Sequence, residues 1–392
     1  MKKTYFTLLF FIFSVQGLIS QSLQLSVYSE VSIITVGPGD ALFEAFGHSA
    51  IRVKDPILKM DMVYNYGTFD FTPDFYLNFA KGRLLYKLSK RPFNYFLQNN
   101  RADKRWMKGQ ILDLTQQERQ VFYQFLEINA LPQNAYYNYD PYFDNCATKL
   151  RDISQEILKD KIQFEEQYVS QEQSLRQLMS KELPWNTWGS FGINIALGTK
   201  IDKIASANEY MYLPDYVYLA FKNAKKNENG VSKPLIKKEE SLLNFDEKQV
   251  RIKWYNPLVF FSLFLLITVF TTRKDYIKGK QSRWLDISIF LITGLLGSLI
   301  VFLWFFTDHK ITPNNFNILW AFPFNLVIAF LFLKKKQPKW IGIYLKICLG
   351  LIFTTVILWI TRVQLFSPAI IPLLLLLLLR YFYLNKLLSF KK

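Results

Sequence analysis

The chain has two cysteines and two histidines. One of each sits in a stretch that could do chemistry: Cys146 in "DPYFDNCATKLRDISQEIL" and His48 in "EAFGHSAIRVKD". A thiol attacks as its thiolate, and a base held by a third group maintains that state. Cys146, Leu150, Ile153 and Ile157 recur at helical spacing, which predicts a helix with Cys146 in its first turn, facing inward. Asp144 or Asn145 can cap it. Free N–H groups and the helix dipole stabilise a thiolate there. His48 stands at the entrance of "HSAIRVKD", which pairs with "MDMVYNYG" across "PILK" as a β-hairpin. The returning strand brings Asn65 or Tyr66 roughly opposite. The Asn65 side chain can accept the Nδ1 proton and fix the imidazole tautomer. The candidate catalytic residues are therefore Cys146, His48 and Asn65, with the Cys146 backbone N–H as an oxyanion donor. A buried core cysteine and an ordinary strand-end asparagine are the competing readings.

The compartment decides between them. "MKKTYFTLLFFIFSVQGLISQS" has a basic start, a short apolar core and small residues, the pattern of a signal peptide over 1–20. Five apolar blocks follow residue 254, over 254–272, 284–306, 316–333, 340–360 and 365–384. Each is about long enough to cross ~30 Å of hydrocarbon as a helix. The loops "TRKDYIKGKQSR" and "KKKQPK" are strongly basic, whereas "TDHKITPNN" and "TRVQ" are not. Positive loops stay inside, so the C-terminus is expected in the cytoplasm and the region before the first span outside. Exported thiols are usually oxidised in pairs. Cys348, the other cysteine, lies about eight residues into the fourth block, ~12 Å deep in lipid. An unpaired exported thiol points to reactivity. The +17 net charge is largely topological, and lysines of the exported part can meet anionic head groups. Nucleic-acid binding does not fit an exported, membrane-embedded chain.

The elements that must position the site follow from patterning. "SVYSEVSIITVG", "GRLLYKLSK" and "RWMKGQILDL" read as strands. Thr115 and Glu118 have capping-box spacing ahead of a helix in "RQVFYQFLEINAL". Further helices are expected in "EQSLRQLMSKEL" and "LPDYVYLAFKNAKK", and "WNTWGSFGINIALG" is expected against the membrane surface. The polar stretch 225–253 reads as a juxtamembrane linker after an exported domain over 21–224. Secondary candidates are "GPGD" as a turn bordering the site, Arg52 and Asp70 as ion-paired or head-group residues, and His309 as an interfacial residue of the outer loop. No His/Cys/carboxylate cluster has metal-ligand spacing and no glycine-rich phosphate loop occurs, so no cofactor is expected.

Helix-borne cysteine with strand-borne histidine is the papain-type arrangement. "VGPGDALFEAFGHSAIRVKD", "YNYGTFDF", "DNCATKLRD" and "YLPDYV" resemble the Lnb-type bacterial lipoprotein N-acyltransferases over essentially the whole chain. His48 falls on that family's Gly-His motif and Cys146 on its Asn-Cys motif. More distantly, the His-before-Cys order resembles circularly permuted papain-like (NlpC-like) enzymes. The resemblance implies an α+β permuted papain-like exported domain followed by an all-α five-helix transmembrane domain. It also implies acyl transfer, through a Cys146 thioester, from a membrane phospholipid to the N-terminal cysteine amine of diacylated lipoproteins at the bacterial inner membrane. The rival expectations are a cysteine amidase or peptidase acting on cell-wall peptides and a non-enzymatic membrane assembly factor.

Overall fold

The computed structural model describes residues 23–248, 252–334 and 336–390; the expected signal peptide lies outside them. Among the described residues, ten strands occur in chain order: β1 Glu30–Val36, β2 His48–Asp55, β3 Met60–Thr68, β4 Leu85–Pro92, β5 Met107–Leu112, β6 Tyr136–Asn138, β7 Ile162–Gln163, β8 Lys225–Glu228, β9 Val231–Pro234 and β10 Ile236–Leu243. Seven form one antiparallel sheet in the order β10-β5-β1-β2-β3-β4-β6, and β7-β8-β9 make a small second sheet.

Strand β1 is buried on both faces, as its run of β-branched residues requires. Val31 and Ile33 face the larger core, with Ile51, Val53, Leu150 and Ile153. Ile34 and Val36 face a smaller cluster with Phe93 and Met107. The helix Cys146–Leu158 lies over the larger core, burying Leu150, Ile153 and Leu158 against the sheet. The expected capping box forms: Thr115 Oγ1 accepts from Glu118 N–H (3.2 Å), and the Glu118 carboxylate accepts from Thr115 N–H (2.9 Å).

The stretch expected to be a linker is not one. Residues 225–243 carry β8, β9 and β10, and β10 pairs with β5 as an edge of the main sheet. Its exposed lysines and glutamates suit an edge strand, where charge blocks further pairing. That is why the segment looks like a solvated linker by composition.

Among the described residues, four helices are long and apolar enough to cross a membrane: Pro257–Lys278, Arg283–Phe305, Ile341–Ile360 and the segment Pro368–Ser389. The third apolar block is not the single continuous helix that was expected. It folds as a 3-10 turn, Phe316–Leu319, and a seven-residue helix, Asn325–Leu331, separated at Pro323. Proline removes a backbone donor and clashes with the preceding turn. The broken segment packs its backbone against Gly294 and Gly297, where a Cβ would come within 2.3 Å of Leu326 N and 2.0 Å of Ala321 O. Small residues permit that approach. Asn325 is buried there, donating to Thr293 Oγ1 at 2.8 Å.

The two domains are joined by buried polar contacts. Arg176 pairs with Asp202 at 2.8 Å, both side chains 2% exposed, and donates to Asn194 Oδ1 at 2.9 Å. Asp202 accepts the Leu365 N–H (3.1 Å), Asn315 donates to Ile195 O (2.7 Å), and Asn317 donates to Asn194 O (3.1 Å). The helix Trp188–Ala196, expected against the membrane, supplies Phe191 and Ile195 to the core of the helical domain.

Candidate active site

Cys146 is the first residue of its helix. Of the two capping options, Asn145 is the cap: its Oδ1 accepts the N–H groups of Ala147 and Thr148, each at 2.9 Å. Asn145 Nδ2 donates to Pro141 O and Tyr212 O, each at 2.8 Å, which ties the cysteine motif to the "YLPDYV" motif. Tyr212 also stacks on Tyr142 with centroids 4.8 Å apart. The thiol is thus held by a cap that is itself held.

His48 opens β2 after a tight turn at Gly47, whose φ is +74°. A side chain at Gly47 would be strained and would press on Val36 O at 2.8 Å. The β2–β3 register pairs Ile51 with Tyr64, so its continuation sets His48 opposite Gly67 and diagonal to Asn65. The ring therefore meets Asn65 through its far nitrogen: His48 Nε2 lies 2.6 Å from Asn65 Oδ1. This corrects the expected Nδ1 contact. With Nε2–H donated to Asn65, Nδ1 is the nitrogen left for the hydrogen bond between His48 and Cys146.

The thiol and the imidazole shift toward one another. Burial opposes the thiolate, but the His48 charge, its hydrogen bond and the N–H groups of Ser49 and Ala147 together bring the Cys146 thiol below its ordinary value. Burial likewise disfavours the imidazolium, yet the thiolate and Asn65 raise His48 above its ordinary value. Burial and the neighbouring thiolate push Tyr139 well above the ordinary phenol range, so it stays neutral.

Two residues at this centre carried no signal that sequence reasoning used. Gly67, φ +86°, leaves space beside the thiol: a Cβ there would sit 3.5 Å from Cys146 Cβ and 3.6 Å from Tyr139 Cε2. Arg105 is 7% exposed; its Nε donates to Gly37 O (2.8 Å), its Nη1 lies 3.6 Å from Glu44, and its Nη2 is buried without a hydrogen-bond partner among the described residues. Its charge acts on both His48 and Cys146. The "GPGD" turn borders the site through Gly37. The glycine in "YNYG" was the available signal for the first; a lone arginine at a strand entrance gives none for the second.

The other candidates lie elsewhere. Arg52 pairs with Asp61 at 2.7 Å and stacks on Phe93; Asp70 pairs with Lys87 at 2.5 Å. His309 lies beside the Phe79 and Ala80 backbone at the end of a short helix, Phe75–Ala80. Cys348 is buried in the helix Ile341–Ile360. Among the described residues, no three His, Cys, Asp or Glu side chains gather as a metal-binding group.

The family described as the Lnb N-terminal periplasmic domain matches residues 20–188, and the Lnb transmembrane domain matches residues 248–392. The chain belongs to the Lnb family. No curated protein and no solved structure matches it. The Lnb periplasmic match contains Cys146, His48, Asn65, Gly67 and Arg105, and the Lnb transmembrane match contains all four long helices. The protein is thus a periplasmic Lnb domain joined to several membrane-spanning helices.

Proposed function

We propose that this protein is a lipoprotein N-acyltransferase that works through a Cys146 thioester. The observation that carries the reading is the Cys146–His48–Asn65 set at a helix start, in a domain latched to a membrane-spanning Lnb domain. The Cys146 thiolate attacks the ester carbonyl of a membrane phospholipid. The carbonyl oxygen, negative in the tetrahedral intermediate, takes a hydrogen bond from the Cys146 N–H. The C–O bond breaks, His48 Nδ1 gives its proton to the departing oxygen, and lysophospholipid leaves. The α-amine of a diacylated lipoprotein then attacks the thioester. His48 takes the amine proton, the C–S bond breaks and the thiolate returns. Asn65 fixes the imidazole tautomer throughout, as the third member of the set.

The acceptor and donor are both lipids at the outer leaflet, and the contacts between domains support a site working there. The charge of the connecting loops supports an inner-membrane protein with a cytoplasmic C-terminus. The test is to incubate the purified full chain in vesicles with acyl-labelled phospholipid. The expected result is label on Cys146 that hydroxylamine removes and that moves to a diacylated lipopeptide when one is added. Label released only to water, or transferred to no amine, would turn the reading to a hydrolase. No label on Cys146, with the protein folded, would end it.

A further inference from the structure

Residues 69–79 read "FDFTPDFYLNF" and present aromatic rings to the outside: Phe71 is 74% exposed, Tyr76 74% and Phe79 50%. These rings do not form an isolated patch. Phe71 and Phe75 each pack on Phe69, at 5.1 and 5.0 Å between centroids. Phe69 packs on Tyr86 at 5.1 Å, and Tyr86 stacks on Tyr139 at 4.3 Å. Tyr139 borders the space over Gly67 that Cys146 also borders. A continuous run of rings therefore joins an exposed surface to the thiol.

The outer end of that run lies at membrane level. Lys81 O accepts the Asp308 N–H at 2.8 Å, Arg83 pairs with Asp308 at 2.9 Å, and Gly82 lies so close to His309 that a Cβ would come within 2.5 Å of its backbone nitrogen. Asp308 is three residues beyond Phe305, where the helix Arg283–Phe305 ends. Three residues of chain span at most ~10 Å. Phe305 and Phe306 are themselves exposed, and aromatic rings concentrate where head groups meet hydrocarbon. Large exposed apolar patches on a soluble domain mark an interaction surface, and the adjacent hydrocarbon is the surface on offer here.

We propose that the 69–79 segment enters the outer leaflet and that the Phe69–Tyr86–Tyr139 run is the slot along which a phospholipid acyl chain reaches Cys146. The second half rests on the acyl-transfer reading above; the first does not. Rings suit the task because they give an apolar wall at little conformational cost, while chain length along the wall sets how much apolar area the donor buries.

The test uses the full chain in phospholipid vesicles. A photoreactive phenylalanine analogue at Phe71 or Phe79 is expected to capture phospholipid acyl chains; capture of none at either position would overturn the leaflet contact. In a second arm, Phe71→Ser with Phe79→Ser is compared with wild type for labelling of Cys146 by a long-chain phospholipid and by a soluble short-chain ester. The long-to-short ratio is expected to fall about tenfold, the loss of roughly one ring's worth of apolar contact. An unchanged ratio, whether both donors slow together or neither does, would overturn the slot. If the wild-type protein accepts neither donor, the acyl-transfer reading and the slot fall together, and lipid capture still decides the leaflet contact.

Discussion

Gly67 and Cys146 face one another across the candidate site: a Cβ on Gly67 would stand 3.5 Å from Cys146 Cβ and 4.0 Å from His48 Cε1. At φ +86° any side chain at 67 is also strained. Gly67→Ala is therefore expected to cost about 1–2 kcal/mol of stability. It should also slow Cys146 acylation by at least about tenfold, because the methyl occupies space the incoming carbonyl needs. Thermal unfolding in detergent and the rate of Cys146 labelling check the two effects. A stability loss with normal labelling would mean that the space over Gly67 is not where substrate reacts.

The Cys146–His48 pair makes a pH prediction. Cys146 titrates below the ordinary thiol value of 9.0 and His48 above 6.5. Each group thus favours the charged form of the other. The rate of Cys146 alkylation by a small haloacetamide should rise with pH through an inflection below 9.0. His48→Ala removes the cation that lowers the thiol, so the inflection should move upward. Asn65→Ala should move it the same way by less, because Asn65 acts on the thiol only through the imidazole. An inflection unaffected by His48→Ala would separate the histidine from the thiol. With labelled phospholipid, His48→Ala is expected to slow acylation by on the order of 10²-fold or more, as loss of a positioned base does.

Much of this centre was legible because it depends on local rules. The Cys146 helix follows from spacing and an Asn cap, and the His48 hairpin from alternation on both sides of a turn. The nitrogen that meets Asn65 was not legible, because it depends on the orientation of the His48 ring, which strand patterning does not set. Arg105 reaches the site through Gly37 O, a contact 68 residues away in sequence that no local pattern announces. The linker reading failed at β10 because an exposed edge strand and a solvated linker share a composition. The break at 316–333 was not legible, because apolar length alone does not register Pro323 or the glycines opposite it.

His309 is expected to matter less than His48. Its ring sits beside the Phe79 and Ala80 backbone, so it docks the 75–80 helix rather than facing the thiol. His309→Ala should keep Cys146 alkylation normal and reduce vesicle-based acylation several-fold. The dock should also weaken on acidification. Burial holds the folded His309 below 6.5, so the undocked state binds its proton first as pH falls below that value. Proteolysis within 69–83, followed from neutral to mildly acidic pH, should accelerate in the wild type and lose that dependence in His309→Gln. Equal and complete loss of activity in His309→Ala and His48→Ala would make the loop part of the reacting centre.

The Arg176–Asp202 pair bears on whether the domain stays over the membrane. Both side chains are 2% exposed, and Asp202 also accepts the Leu365 N–H from the helical domain. Removing one partner of a buried pair leaves the other charged and unpaired, which costs about 3–5 kcal/mol. Arg176→Met is expected to destabilise the protein by that order at neutral pH. Burial already holds the folded Asp202 above its ordinary value of 3.8, and losing Arg176 raises it further. A folded carboxyl that binds its proton more readily than the unfolded one gains stability as pH falls, so the deficit of Arg176→Met should shrink on acidification. Arg176→Met with Asp202→Asn should recover much of the loss at neutral pH, since no charge is then left buried. In the single variant at neutral pH, acylation of Cys146 by vesicle phospholipid should fall more than alkylation by a soluble reagent, because the thiol remains built while its hold on the membrane loosens. Equal losses by both measures would mean that the pair supports the fold of the thiol domain and not its seat on the helices.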